Sequence, residues 1–237
     1  GMRIGEAVQR IYENASLTPV DCHVELSSVV LETFFDNEKL RAFAISSHAE
    51  EPQILADGND AEDEKKLILK LREHIKEIDA DIICGWRVQD ENFLLLKQRF
   101  AAYALPFDLG RSRKGQWFVE RLFRGRDLSV LQGRQLLDIE SLMSHTWERY
   151  AESTPESIIK AVFDEDVPQK SAENCSARVI LLTRLLKKKN LVDLSLRRSL
   201  LTGLSLERCW GSIAAFEYLY MLELHKQNFA APDLGVD

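Results

Sequence analysis

The chain has 237 residues, 45% of them apolar and 29% charged, with a formal net charge of −7. That composition suits a globular protein with one large core and excludes disordered, collagen-like and disulfide-scaffold classes. No apolar run approaches the roughly 18 residues of a membrane helix, so a cytoplasmic protein without membrane contact is expected. The acidic balance excludes a surface that attracts nucleic acid everywhere. Cys22, Cys84, Cys175 and Cys209 form no C-x-x-C pair, so buried thiols are expected in place of a zinc site or disulfide framework. The scattered histidines exclude H-E-x-x-H chemistry, and no Walker loop, dinucleotide fingerprint or G-x-S-x-G elbow is present.

In residues 17–26, Val20, Cys22, Val24 and Leu26 alternate with Asp21, His23 and Glu25, the period of a first strand with one apolar face. A second strand is predicted from Leu40 to Ser46 after the turn-like Asp36-Asn37-Glu38-Lys39. The acidic stretch from Glu50 to Glu64 reads as a solvated loop and helix start. Asn59 or Asp60 can cap a helix whose apolar residues Leu67, Leu71, Ile75 and Ile78 recur every three or four positions. A short strand at Ile82–Cys84 and another helix follow. This order predicts an α/β fold with antiparallel and parallel strands in one mixed sheet.

Residues 110–140 are punctuated by glycine and read as extended, from Trp117 to Phe123 and from Val130 to Ile139, a β-ribbon insertion. Thr154-Pro155 is a helix start, and the chain beyond it is mostly helical. Asn174–Lys189, Leu191–Leu201 and Ser205–Gln227 are its long periodic segments. The expected division is an N-terminal segment (1–16), a core (17–190) carrying the ribbon, and a helical C-terminal extension (191–237).

Three stretches carry a family signature: PVDCHVEL (19–26), DADIICGWRVQDENFLLL (79–96) and AENCSARVILLTRLL (172–186). With LPFDLGRSRKG (105–115), QGRQLLDIESLM (132–143) and the tail from Thr202 to Asp233, they resemble the exonuclease domain of family B DNA polymerases. The resemblance covers about residues 17–233 and implies a ribonuclease H-like fold of the DEDD type. Palm and fingers motifs are absent from this sequence. A site of that type uses two Mg²⁺ or Mn²⁺ ions held by carboxylates, one activating water and the other stabilising the leaving oxygen.

Carried over residue by residue, the resemblance implies a degenerate site. His23 stands for the first aspartate and Glu25 keeps the glutamate. Asn92, seven positions after Gly85, stands for the second-motif aspartate, Ser176 for the third-motif aspartate and Ala172 for its tyrosine. A rival register lays Val29-Val30-Leu31-Glu32-Thr33 on the first motif, with Val30 for the aspartate and Glu32 for the glutamate. The His23/Glu25 register is preferred because it leaves the second strand where the family has it. A shifted second motif would instead present Asp90 or Glu91. Asp138-Ile139-Glu140 also spells D-x-E, but it follows a Gly-Arg pair where the family carries a structural aspartate. The resemblance therefore implies an inactivated 3′–5′ exonuclease without a cofactor. The alternative is an active exonuclease with replaced ligands, needing Mg²⁺ or Mn²⁺ and using Glu25.

Arg111, Arg113, Lys114, Arg121, Arg124, Arg126 and Arg134 face only Glu120 and Asp127 in sequence, with Trp117 and Phe118 between them. Such a basic segment with aromatics suits single-stranded DNA; equally, it suits a solvated ribbon whose aromatics are core. The expected partners are DNA, single-stranded, and a polymerase or other replication protein. A second basic run, Lys187-Lys188-Lys189, reads as complementing a helix C-terminus.

Overall fold

The computed structural model describes residues 25–60, 63–111, 117–121, 127–206 and 208–229, with the backbone alone at 117–121, 127 and 128. Strand β1, Ser28–Asp36, is rich in β-branched and aromatic residues. Asn37 and Glu38, both at positive φ, turn the chain as a two-residue hairpin requires. Strand β2, Lys39–Ser47, then pairs antiparallel with β1 from Val29↔Ser47 to Asp36↔Lys39. Strand β1 is the first strand among the described residues. Of the strand expected over 17–26, residues 17–24 lie outside the described residues, and Glu25 and Leu26 are not in a strand. Val29, Val30 and Leu31 are all buried, because β1 is central and covered on both faces. Such a strand is a continuous apolar run, not an alternating one.

Strand β3, Ile54–Asn59, pairs antiparallel with β2 where a solvated loop was expected. It is an edge strand burying only Ala56 and Gly58, which leaves little apolar signal. Helix α1, Glu64–Ile78, is capped by Asp63, whose carboxylate accepts from the Lys66 amide at 3.0 Å, and not by Asn59 or Asp60. Buried Glu64 accepts from the Leu40 amide (2.8 Å), Arg99 (2.7 and 2.8 Å) and Tyr103 (2.8 Å), fastening α1 to β2 and to helix α2, Phe93–Ala102. Between α1 and α2 lies β4, Ile82–Gly85, buried throughout and parallel to β1.

Strands β5, Trp117–Arg121, and β6, Asp127–Leu131, form the expected antiparallel ribbon. The extended segment predicted to Ile139 divides at a turn with Gly133 at φ 83°. Past it, β7, Gln135–Asp138, joins the main sheet parallel to β4. The main sheet has five strands in the order β3-β2-β1-β4-β7. Helix α3, Ile139–Ser144, had no predicted counterpart; Asp138 caps it. Helix α4, Pro155–Phe163, starts at Thr154 as expected. Helices α5, Cys175–Lys189, and α6, Leu191–Thr202, meet at left-handed Asn190. Helix α7, Ser212–Lys226, is shorter than predicted; it buries Ala215 and exposes Ile213, Phe216, Tyr220 and Met221.

The α/β architecture is the one the sequence predicts, a mixed sheet between two helical layers. Val30, Ala42, Ala44, Ile82, Cys84 and Leu137 pack with residues of α4 and α5, including Ile159, Val179, Leu182 and Leu186. Leu31, Phe43, Ile45, Ile83 and Leu136 pack with residues of α1 and α2, including Leu67, Leu71, Leu96 and Phe100. Cys84, Cys175 and Cys209 are buried thiols outside any disulfide, and burial pushes the first two up to about 12. No helix among the described residues is long and apolar enough to cross a membrane.

Where β1 and β4 begin, a charged latch closes the sheet. Asp81 accepts from the Ser27 amide (2.9 Å) and hydroxyl (2.8 Å) and from Arg111 (2.5 Å). Arg111 also reaches Asp79 at 2.8 Å, and buried Arg134 joins Asp79 (2.7 Å) to the carbonyls of Ala80 (2.5 Å) and Leu109 (2.9 Å). The Arg111 guanidinium, with the Ser27 hydroxyl, holds the Asp81 carboxyl down at about 2, below its ordinary 3.8. A depressed folded-state value stabilises the fold above roughly pH 4, and the contribution is lost as pH falls towards 2. Asp81→Asn should accordingly lower the melting temperature at neutral pH, and the gap to the unmodified chain should narrow between about pH 4 and pH 2. Parallel melting curves over that range would contradict the assignment.

Candidate functional site

Gly85 ends β4 with its Cα against β1: a Cβ there would lie 2.8 Å from the Leu31 carbonyl oxygen and 3.1 Å from Val88 Cβ. Only glycine allows that approach. Arg87 takes a left-handed conformation, and the chain enters a π-helical turn, Val88–Asn92, leading into α2. Gln89 points back into the sheet and donates to the Leu136 carbonyl at 2.7 Å. Asn92 is buried and donates to the Trp86 carbonyl at 3.0 Å, so its amide serves the turn itself. Arg87 neutralises the acidic residues around it, lying 3.6 Å from Asp90, 3.1 Å from Glu91 and 3.8 Å from Glu140.

Asp138 accepts from the Ser141 amide at 3.0 Å as the α3 cap. Burial, reinforced by the charges of Asp90 and Glu140, pushes its carboxyl up to about 6.

On β1, Val30 and Glu32 point to the face covered by α5. Glu32 is 2% exposed and Arg178, on α5, 3% exposed. Arg178 Nε donates to Glu32 Oε1 at 2.9 Å, while its Nη1 donates to Glu156 Oε1 (2.8 Å) and the Pro168 carbonyl (2.7 Å). The guanidinium thus ties β1, α4, α5 and the 164–174 connection together. Sequence reasoning placed Arg178 beside the third motif without giving it a role. Its signal was a lone cation in the apolar stripe of Val179, Leu182, Leu185 and Leu186.

The other carried-over residues are spread out. His23 lies outside the described residues. Glu25 is exposed and precedes β1, whereas the rival register's Val30 and Glu32 lie within that strand. Ser176, in the first turn of α5, donates to Asp57 on β3 at 3.5 Å, and Ala172 lies in the turn before that helix. Among the described residues no group of three or more His, Cys, Asp or Glu side chains is placed to hold a metal ion. With Val30 apolar and Glu32 neutralised by Arg178, these residues do not fit a two-metal centre. Of the basic segment, Arg111 and Arg134 belong to the latch. Arg113, Lys114, Arg124 and Arg126 lie outside the described residues, and Trp117 and Arg121 fall on the backbone of β5.

No family model matches the chain. DNA polymerase II of Escherichia coli (strain K12) is 27% identical over 191 residues, covering 72% of this chain and 24% of that protein. The chain is related to family B DNA polymerases. It spans about a quarter of the length of that curated relative. Among solved structures, the family B DNA polymerase of the hyperthermophilic archaeon Pyrobaculum calidifontis matches with a TM-score of 0.71 at 15% identity. That match covers 90% of this chain and 31% of the other, a likeness of fold.

A buried pair broken on one side leaves an uncompensated charge, whereas replacing both partners by apolar groups is often neutral or stabilising. Arg178→Met should cost about 3–5 kcal/mol of stability, and Glu32→Leu combined with Arg178→Met should recover most of it. Urea unfolding of the three proteins checks this. A double variant no more stable than Arg178→Met alone would show that the pair is not the source of the loss.

Proposed function

We propose that the chain is a 3′–5′ exonuclease-like domain that has lost hydrolysis and serves DNA replication or repair as a module holding single-stranded DNA or a replication protein. The observation carrying this reading is the Glu32–Arg178 pair with Val30 beside it. In the register that lays β1 on the first motif, the aspartate is an apolar side chain and the remaining carboxylate is neutralised by a tethered cation. Asn92 and Ser176, at the other two motif aspartates, are neutral. Two divalent ions beside a phosphate need several carboxylates, and this set supplies too little negative charge. The relation to a DNA polymerase supports a role at DNA. In this reading residues 17–190 form the exonuclease-like unit and residues 191–237 a helical extension.

With either Mg²⁺ or Mn²⁺, no measurable 3′–5′ digestion of a labelled single-stranded oligonucleotide is expected. Losses within one catalytic unit are not rescued piecemeal, so restoring Val30→Asp alone should also leave the chain inactive. Robust digestion by the unmodified chain, abolished in Glu32→Gln or Glu25→Ala, would overturn the proposal in favour of an active enzyme with replaced ligands.

DNA contact by the ribbon is a separable part of the reading. Reversing Arg113 and Lys114 to glutamate should weaken oligonucleotide binding and flatten its salt dependence, since each phosphate contact releases counterions. Binding curves that superimpose at every salt concentration would remove the ribbon from the interface.

A further inference from the structure

A second surface, remote in sequence from the basic ribbon, has the chemistry of a nucleobase site. Between the end of α3, helix α6 and the start of α7 lies an open groove of about 470 Å³ lined by His145, Trp147, Arg198, Trp210 and Ile213, among others. Trp147 is fully exposed. A bare indole leaves a large, flat apolar face open to a stacked partner. Trp210 also lines the groove. It is buried, its indole N–H donates to the Ser195 hydroxyl at 2.8 Å, and its ring lies 5.9 Å from that of His145.

Arg198 supplies fixed positive charge. Its guanidinium sits 5.0 Å from the Trp210 ring and donates Nε to the Cys209 carbonyl at 2.9 Å. It makes no ion pair among the described residues, and neither do exposed Arg149, two residues beyond Trp147, and exposed Arg197 on α6. The nearby acid Glu148 is already matched by Lys189 at 2.5 Å. Among the described residues that line the groove Arg198 is cationic and none is acidic, although the chain as a whole is acidic. Aromatic rings beside an arginine that has no ion pair among the described residues suit a flat base on a phosphate backbone, since every base offers a π face and every linkage a negative charge.

We propose that this groove is a stacking site for single-stranded nucleic acid, with Trp147 taking a base and Arg198 the adjoining phosphate. It rests on the nucleic-acid-binding function proposed above and assigns that function a place. Fluorescence anisotropy of the full chain with labelled oligothymidylate and oligouridylate of about a dozen nucleotides tests it, the two arms separating DNA from RNA as the source. Trp147→Ala should weaken binding by about 5- to 150-fold, and Trp147→Phe should keep most of the affinity. Arg198→Met, which retains an apolar stem over Trp210, should reduce the salt slope by about one. Thermal melts confirm that the variants are folded. If the unmodified chain binds and Trp147→Ala binds equally well, the groove is not the site and the broader function survives. If the folded, unmodified chain binds neither oligonucleotide, the groove proposal falls together with the single-stranded DNA part of the proposed function, leaving the replication-protein part.

Discussion

One buried ion pair sets the terms for this fold. Glu32 lies in the middle of the central strand and Arg178 in the helix that covers it, both shielded from water. Two charges removed from solvent cost several kcal/mol each unless their geometry is good and their remaining hydrogen-bonding groups are satisfied. Arg178 meets that condition with three acceptors on three segments, and so fixes where α5, α4 and the chain between them sit on the sheet. A different seating of α5 would strand a charge in the core. The pair thus selects one packing more than it adds net stability. The same pair occupies the one carboxylate that the β1 register retains, so the interaction that specifies the fold also weighs against metal chemistry there.

The charged latch at the other end of the sheet works by a different economy. Its acids are partly exposed, and the individual ion pairs are correspondingly weak. What matters is connectivity: Arg134 and Arg111 reach backbone carbonyls as well as carboxylates, closing the end of α1, the starts of β1 and β4, and the chain on either side of the ribbon into one unit. Two arginines that look like a DNA-binding run in sequence are thereby spent inside the protein. The distinction is invisible in composition, because a basic segment reads the same whether its cations face phosphate or aspartate.

The sequence was legible where the signal is local. The hairpin turn, β2, the α1 periodicity, β4 and the Thr154-Pro155 start each follow from nearby residues, and each is found. It was misleading where tertiary context decides. Ser28–Asp36 was not read as a strand, because a strand sandwiched between helices has no polar face to alternate. β3 was missed because this edge strand buries only Ala56 and Gly58 of its six residues, while its large apolar residues Ile54 and Leu55 are exposed. The family motifs pointed to residues 79–96 and 172–186, but partners so distant in sequence, above all Arg178 for Glu32, had to be seen in space.

Helix α7 carries a consequence of another kind. Fifteen residues are near the limit at which an isolated helix holds together in water, and most helical stability in proteins comes from a packed face. With Ala215 as its one buried residue, α7 has few tertiary contacts to lose when it opens. Its amides therefore belong at the low end of the chain's hydrogen-exchange protection, opening by local fraying, while those of β1 and β4 open only with the whole domain. The protein joins a rigid sheet core to a segment whose order depends on its surroundings.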